Sequence, residues 1–249
     1  MNTPRGDALD IQIHGLNYSL GIPDLLSQNT NRFYSAYYNR TSRSGLNHLA
    51  DKYGTDKGGF KTEGNPYPWG SHAYCDYYEN LFSHCRHTVT KVFELGLGTN
   101  NPALASSMGI HGKVGASLRM WREYFPNAHI YGADIDQNIL FNEERISTYY
   151  CDQTNETIIS GMWNSIGVSD YDLIIEDGLH TFEAQRIFFE NSFSHLREGG
   201  IYIIEDVLNA DLVPWVRYFS EKQHHVDFIR LYKNSAEVNS GLIVIRNDC

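Results

Sequence analysis

The sequence has little of what builds covalent frameworks. Its four cysteines, Cys75, Cys85, Cys151 and Cys249, are scattered and form no C-x-x-C pair. That excludes a zinc ribbon and a disulfide scaffold, and fits a reducing, cytoplasmic setting. No apolar run approaches the roughly 18 residues that would suggest a membrane span. Met1 to Ile11 holds Arg5, Asp7 and Asp10 but no apolar segment of a secretory signal. Positive charge is also scarce: 20 basic residues face 30 acidic ones, for a formal net charge of −10. With no basic stripe to neutralise phosphates, nucleic acid is not an expected partner. Internal repeats and low-complexity tracts are missing too. What is there is a chain of 249 residues, 41% hydrophobic and 13% aromatic, which suits one large domain with a modest extension.

Residues 1–45 show no sustained period and read as an N-terminal extension or arm. Within it, the spacing of Phe33, Tyr34, Tyr37 and Tyr38 predicts rings on one side of a short helix. Exposed aromatics of this kind favour self-association, so a homo-oligomer is an expected assembly. The main domain is expected over 46–249. Asp51 to Gly59 has too many glycines and charges for a helix or central strand and reads as a loop; a helix is expected from near His72 to Phe82.

After Lys91 the texture changes. Val92 to Gly96, His129 to Ile135, Tyr149 to Asp152, Tyr171 to Glu176 and Ile201 to Glu205 read as strands, followed by Phe228 to Tyr232 and Leu242 to Ile245. Helices are expected over Ser117 to Phe125 and Thr181 to Leu196, the second stopped by Gly199-Gly200. Alternating strands and helices predict an α/β fold with a mostly parallel sheet covered on both faces and an antiparallel hairpin at its end.

In such a sheet, ligands bind at the carboxyl ends of the strands. Glu94-Leu95-Gly96-Leu97-Gly98-Thr99 sits at such an end, and its glycines let backbone approach a ligand. Asn101 stands where a dinucleotide fingerprint would have its third glycine, and Pro102, Gly109, Gly112 and Gly115 delay the next helix. Both features count against an NAD-dependent oxidoreductase. Asp134, ending the next strand, could accept both hydroxyls of a ribose; Asp152, with Gln153 beside it, could reach an adenine amine. A nucleoside-type cofactor is therefore expected. Ile174-Ile175-Glu176-Asp177-Gly178-Leu179-His180 and Tyr202-Ile203-Ile204-Glu205-Asp206 are apolar strands ending in acid pairs, separated by one crossover helix. As sheet neighbours they would bring Asp177, Glu205 and Asp206 together. Three carboxylates in one cleft repel unless a hard cation such as Mg²⁺, Mn²⁺ or Ca²⁺ lies between them. His180, across Gly178, is placed to accept a proton beside such an ion.

These stretches, with Lys52-Tyr53-Gly54-Thr55-Asp56-Lys57 and Tyr131-Gly132-Ala133-Asp134-Ile135-Asp136, resemble the class I S-adenosylmethionine-dependent methyltransferases from about Leu46 onward. Within them the chain is similar to the metal-dependent sugar O-methyltransferases of the mycinamicin 2''-O-methyltransferase family. The resemblance implies a Rossmann-like, seven-stranded sheet with an antiparallel last strand. It implies S-adenosylmethionine as cofactor, bound by Tyr53, Glu94, Gly96, Gly98, Thr99, Asp134, Asp152, Gln153 and Glu176. It implies Mg²⁺ or a similar divalent cation on Asp177, Glu205 and Asp206, with His180 as general base. The acceptor would be a sugar hydroxyl of a glycoside, polysaccharide or nucleotide-sugar. A catechol or other phenol is the alternative acceptor, since the metal logic is shared. A non-catalytic, cofactor-binding subunit would have no need of the histidine and three acids.

Overall fold

The computed structural model describes residues 32–37, 44–58, 67, 69–232 and 241–248. In chain order its strands are β1 (Arg32–Tyr37), β2 (Lys91–Leu95), β3 (His129–Asp134), β4 (Asn142–Glu143), β5 (Ile146–Tyr150), β6 (Tyr171–Glu176), β7 (Leu196–Ile204), β8 (His225–Tyr232) and β9 (Gly241–Arg246). The described helices are α1 (Gly45–Tyr53), α2 (Tyr74–Phe82), α3 (Ala116–Tyr124), α4 (Glu156–Ile166), α5 (Phe182–Ser192) and α6 (Leu212–Ser220).

All nine strands join one sheet in the order β1-β8-β9-β7-β6-β2-β3-β5-β4. The expected seven strands form its body, and β1 and β4 add an edge on either side. β9 inserts between β7 and β8 and runs antiparallel to both, so the expected antiparallel hairpin is present. The two-residue β4 is antiparallel to β5; the remaining pairings are parallel.

The central strands are apolar on both faces because helices cover both faces. Side chains alternate between two cores. Phe93, Leu95, Ile174, Tyr202, Ile204, Ile243 and Ile245 point to one, packed with Trp163, Phe188, Trp215 and Phe219 from α4, α5 and α6. Val92, Leu173, Ile175, Ile203, Leu242 and Val244 point to the other, with Tyr78, Trp121 and Tyr124 from α2 and α3 and Leu46 and Ala50 from α1.

Several expectations need correction. Residues 32–37 are not helical: the backbone is a strand paired in parallel with β8, and Tyr38 lies outside the described residues. A residue-45 boundary therefore falls after a strand that is already part of the sheet. Asp51, Lys52 and Tyr53 are not loop but the last turn of α1, which starts at a Ser44 cap and stops where Gly54 turns left-handed at φ 78°. The helix from Thr181 gives way after Ser192 to a single 3₁₀ turn, and β7 begins at Leu196, running through Gly199 and Gly200 with a register shift against β6. The third expected strand starts three residues earlier and ends two earlier, at Ile146–Tyr150. The sequence reading missed α1, α4 and α6. Of these, α4 carries plain end signals: Asn155 caps the amides of Thr157 and Ile158, and Gly167 ends it.

No helix among the described residues is long and apolar enough to cross a membrane, and Cys75, Cys85 and Cys151 are free thiols. Trp163 fills the α4–α5 face: its ring lies 4.6 Å from Phe93, and its Nε1 donates to Ser192 Oγ at 3.0 Å. Replacing it with alanine should cost about 3–5 kcal/mol, read as a lowered urea midpoint with an unchanged slope.

Candidate active site

Register brings the chemistry to one edge. Leu95 lies opposite both Ala133 and Glu176, and Glu176 lies opposite Ile204. The residue after each strand therefore emerges at the same level. The ladder continues one step further: Gly96 N donates to Ala133 O, Asp177 N to Leu95 O and Glu205 N to Glu176 O, at 2.8–3.0 Å. Gly96 takes φ +94°, and a Cβ there would lie 1.9 Å from the Asp177 carbonyl, so only glycine allows the two strand exits to sit together.

Asp177, His180 and Asp206 converge, with ligand atoms all within 4.8 Å of one another. His180 Nε2 is 3.2 Å from Asp177 Oδ1, and its Nδ1 is 3.7 Å from Asp206 Oδ2. Asp177 does not cap α5; its Oδ1 faces His180 and its Oδ2 faces the ammonium of Lys57. Asp206 is held from the other side: its Oδ1 accepts from Tyr74 Oη and lies 3.3 Å from His72 Nδ1. His72 Nε2 in turn faces Asp56 Oδ2 at 3.4 Å. Asp206 adopts a left-handed φ of 53°, a conformation that aspartate tolerates better than most residues and that this double anchoring maintains.

Glu205, the third expected metal ligand, is directed elsewhere. It is 1% exposed, accepts from Tyr78 Oη at 2.6 Å through Oε1, and gives Oε2 to the ammonium of Lys57. Lys57 is a residue to which the sequence reading gave no role beyond its place in the Asp51–Gly59 loop. It is 2% exposed, and its Nζ also lies 2.6 Å from Asp177 Oδ2 and 3.4 Å from Glu94 Oε1. The loop is fixed by three backbone bonds: His72 N to Asp56 O, Ala73 N to Gly58 O and Cys75 N to Lys57 O, at 2.8–2.9 Å. No local pattern marks Lys57, because its partners lie 37, 120 and 148 positions away in the chain.

A cavity of about 530 Å³ opens along this edge, a size suited to a small-molecule ligand. Gly96, Gly98, Thr99, Asp134, Asp152 and Gln153 line one part of it, and Asp177, His180, Glu205 and Asp206 line another. Ile135, between two aspartates, lines it with 43% of its surface exposed and offers an apolar face for a flat heterocycle. The residues therefore fit a nucleoside-type cofactor. Asp134 uses Oδ2 to accept from Leu97 N at 2.8 Å and Oδ1 to accept from Asp136 N at 2.9 Å, which fixes the carboxylate at the cavity wall.

Four expected cofactor residues are placed differently. Tyr53 donates to Glu123 at 2.5 Å outside the cavity lining. Glu94 is buried behind the glycine turn, accepting from Trp121 Nε1 at 2.5 Å. Gln153 lines the cavity, but its amide is spent inside the protein, accepting from Leu179 N at 2.6 Å and donating to Glu176 Oε1 at 2.9 Å. Glu176 is fully buried beneath it, and its Oε2 has no hydrogen-bond partner among the described residues.

Burial opposes every charge at this edge, and neighbours decide the outcome. For Asp177, Lys57 and His180 outweigh burial and hold the carboxyl below its usual range. Glu205 and Glu94 are pushed up by burial and by the charge of Asp177, against the pull of Lys57. His180 is lifted to about 10: burial disfavours the imidazolium, but the hydrogen bond to Asp177 and the charges of Asp206, Asp177 and Glu176 prevail. In the metal-free chain it is thus protonated at neutral pH.

Glu176 is pushed up from 4.5 to about 7, chiefly by burial. A raised folded-state value favours the native state below 4.5, and that benefit is lost as pH climbs through about 7. Glu176→Gln keeps the acceptor for Gln153 and Gly178 and removes the buried charge. It should gain on the order of 3 kcal/mol over the wild type between pH 4.5 and 8, seen as a widening gap in denaturation midpoints.

No family model matches the chain. It is 32% identical over 172 residues to a demethylmacrocin O-methyltransferase of Streptomyces fradiae, covering 68% of this chain and 38% of that one. To an 8-demethyl-8-(2-methoxy-alpha-L-rhamnosyl)-tetracenomycin-C 3'-O-methyltransferase of Streptomyces olivaceus it is 34% identical over 172 residues, 68% of this chain and 39% of that one. To the mycinamicin VI 2''-O-methyltransferase of Micromonospora griseorubida it is 32% identical over 166 residues, 66% of this chain and 36% of that one. The solved structure of the mycinamycin-pathway methyltransferase MycE in complex with Mg, SAH and mycinamycin VI superposes with a TM-score of 0.53 at 30% identity, over 70% of this chain and 40% of that one. The chain thus spans about two fifths of the length of the curated relatives it matches. Its fold is that of the class I methyltransferases, and by sequence it is a relative of the sugar O-methyltransferases of macrolide and tetracenomycin pathways.

Proposed function

We propose that the chain is an S-adenosylmethionine-dependent O-methyltransferase that acts on a sugar hydroxyl of a glycosylated small molecule. The observation that carries this reading is the convergence of Asp177, His180 and Asp206 on the wall of the cavity that the Gly96–Gly98 turn also lines. One wall is suited to a nucleoside cofactor, the other to an acceptor oxygen that must lose a proton. Sugar O-methyltransferases among the relatives supply the acceptor class.

Asp134, Asp152 and the glycine turn would hold S-adenosylmethionine, whose sulfonium supplies an activated methyl group. Asp177 Oδ1 and Asp206 would hold a divalent cation, hard oxygen donors with room left for an acceptor. Bound there, such an ion would supply a positive charge that orients adjacent hydroxyls, lowers their pKa and offsets the negative charges around His180.

The chain's own part is positioning and proton transfer. Asp177 Oδ1, 3.2 Å from His180 Nε2, would accept from it in the tautomer that leaves Nδ1, 3.7 Å from Asp206 Oδ2, as the basic atom. Nδ1 takes the acceptor's proton, and holding both reactants on one rigid edge supplies the alignment. Phenols ionise with less help; the carboxylate-rich, polar wall around Asp206 favours a sugar.

Calorimetric titration should give micromolar binding of S-adenosylhomocysteine and none of NAD; the reverse removes the methyltransferase reading. Methyl transfer, followed by mass spectrometry over a panel of free sugars, nucleotide-sugars, glycosides and catechols, should select a glycoside, stop in EDTA and return with Mg²⁺. His180→Ala should cut turnover by about 10²–10⁴-fold while leaving S-adenosylhomocysteine affinity intact. Loss of that affinity instead would make His180 structural.

A further inference from the structure

The buried ammonium of Lys57 plays no part in the chemistry above, yet it lies 2.6 Å from Asp177 Oδ2, an oxygen of a candidate ligand. It is within salt-bridge distance of three acids from three different strand ends: Glu94 on β2, Asp177 after β6 and Glu205 after β7. It takes Asp177 Oδ2 and Glu205 Oε2, leaving Asp177 Oδ1 on the His180 side. Its backbone is pinned to the entry of α2, the helix that delivers Tyr74 to Asp206 and Tyr78 to Glu205. Lysine carries one charge at the end of a chain long enough to reach from an ordered loop into a buried cluster.

We propose that Lys57 is a positioning residue: a resident counter-cation that holds the acids of this edge together before any divalent ion arrives and shares Asp177 with that ion. The proposal rests on the metal-dependent reading above. The ammonium presents Asp177 to the outer site in one orientation and lowers the negative charge the outer site sees. A divalent ion is then held weakly by the protein alone. It gains hold only when acceptor oxygens complete its shell, which ties ion binding to the presence of acceptor. Without Lys57 the acids would have to shed their charge or recruit the ion in its place.

The test is a coupling measurement that needs no acceptor and no turnover. Melting curves of wild type and Lys57→Met are recorded in EDTA and across a MgCl₂ titration. In EDTA the variant should melt about 10 °C lower, the usual consequence of breaking a buried pair in a chain of this size. The Mg²⁺-induced rise should be larger in the variant, with apparent Mg²⁺ affinity at least about tenfold higher, because the ion takes over the missing charge. A Lys57 that served only the fold would lower both curves equally and leave the Mg²⁺ response unchanged; that result overturns the proposal. So does an unchanged midpoint in EDTA.

Lys57→Gln covers the case in which the methionine variant fails to fold, since its amide can still donate to Asp177 and Glu205 without a charge. It should show the same enlarged Mg²⁺ response. If neither variant folds even in Mg²⁺, the ion does not take over the charge of the ammonium, and the proposal fails. Wild-type binding of S-adenosylhomocysteine and the acceptor panel report on the methyltransferase reading separately, so the two failures are distinguishable.

Discussion

Negative charge gathered where water cannot reach it is the constraint that shapes this molecule. Glu94, Glu176 and Glu205 are almost fully buried at the carboxyl edge of the sheet, and Asp177 and Asp206 stand beside them. Isolated carboxylates in such a place would be expensive, so each either finds a cation, accepts several hydrogen bonds or gives up its charge. All three outcomes occur. Asp177 is stabilised by Lys57 and His180, Asp206 is anchored by Tyr74 and His72, and Glu176 holds its proton up to about neutral pH. The surrounding architecture is what keeps those solutions in place: three strand exits in register and a loop tied down by three backbone bonds.

A parallel sheet suits this arrangement because all its carboxyl ends face the same way. Successive strands can then contribute unlike groups to one cavity: a glycine turn from β2, an aspartate from β3 and acid pairs from β6 and β7. The helices supply the second layer. Tyr74 and Tyr78, one turn apart on α2, send their hydroxyls to Asp206 and Glu205, while Trp121 on α3 sends its indole nitrogen to Glu94. Aromatic rings thereby do two jobs, filling the core on one side of α2 and α3 and satisfying buried acids with their polar tips. The composition reads the same way: a chain with few charges and many rings assigns its hydrogen-bond donors to tyrosine and tryptophan.

Much of the fold could be read in advance because its signals are local. Apolar runs broken by Gly-x-Gly or by acid pairs name β2, β6 and β7 and the edge on which their ends lie. Where a segment had weak periodicity the reading failed. The rings near Phe33 have a spacing compatible with a helix, but the backbone of 32–37 finds an edge to pair with on β8, and that pairing decides. The end of α1 looked like loop because Gly54 and its neighbours sit just beyond the last turn. Gln153 and Glu94 stand at the expected strand ends, yet each is drawn inward by a partner that no spacing announces: Leu179 and Glu176 for the first, Trp121 for the second.

By itself, then, the order of residues determined the kind of sheet, the edge at which the candidate residues gather and the identity of the acids and histidine there, since periodicity and strand-end motifs are written within a few positions of one another. Tertiary structure alone decided how those acids divide their work. Whether Glu205 faces the cavity or a lysine depends on a loop 148 residues away, and Coulomb energy follows distance in space, not distance along the chain.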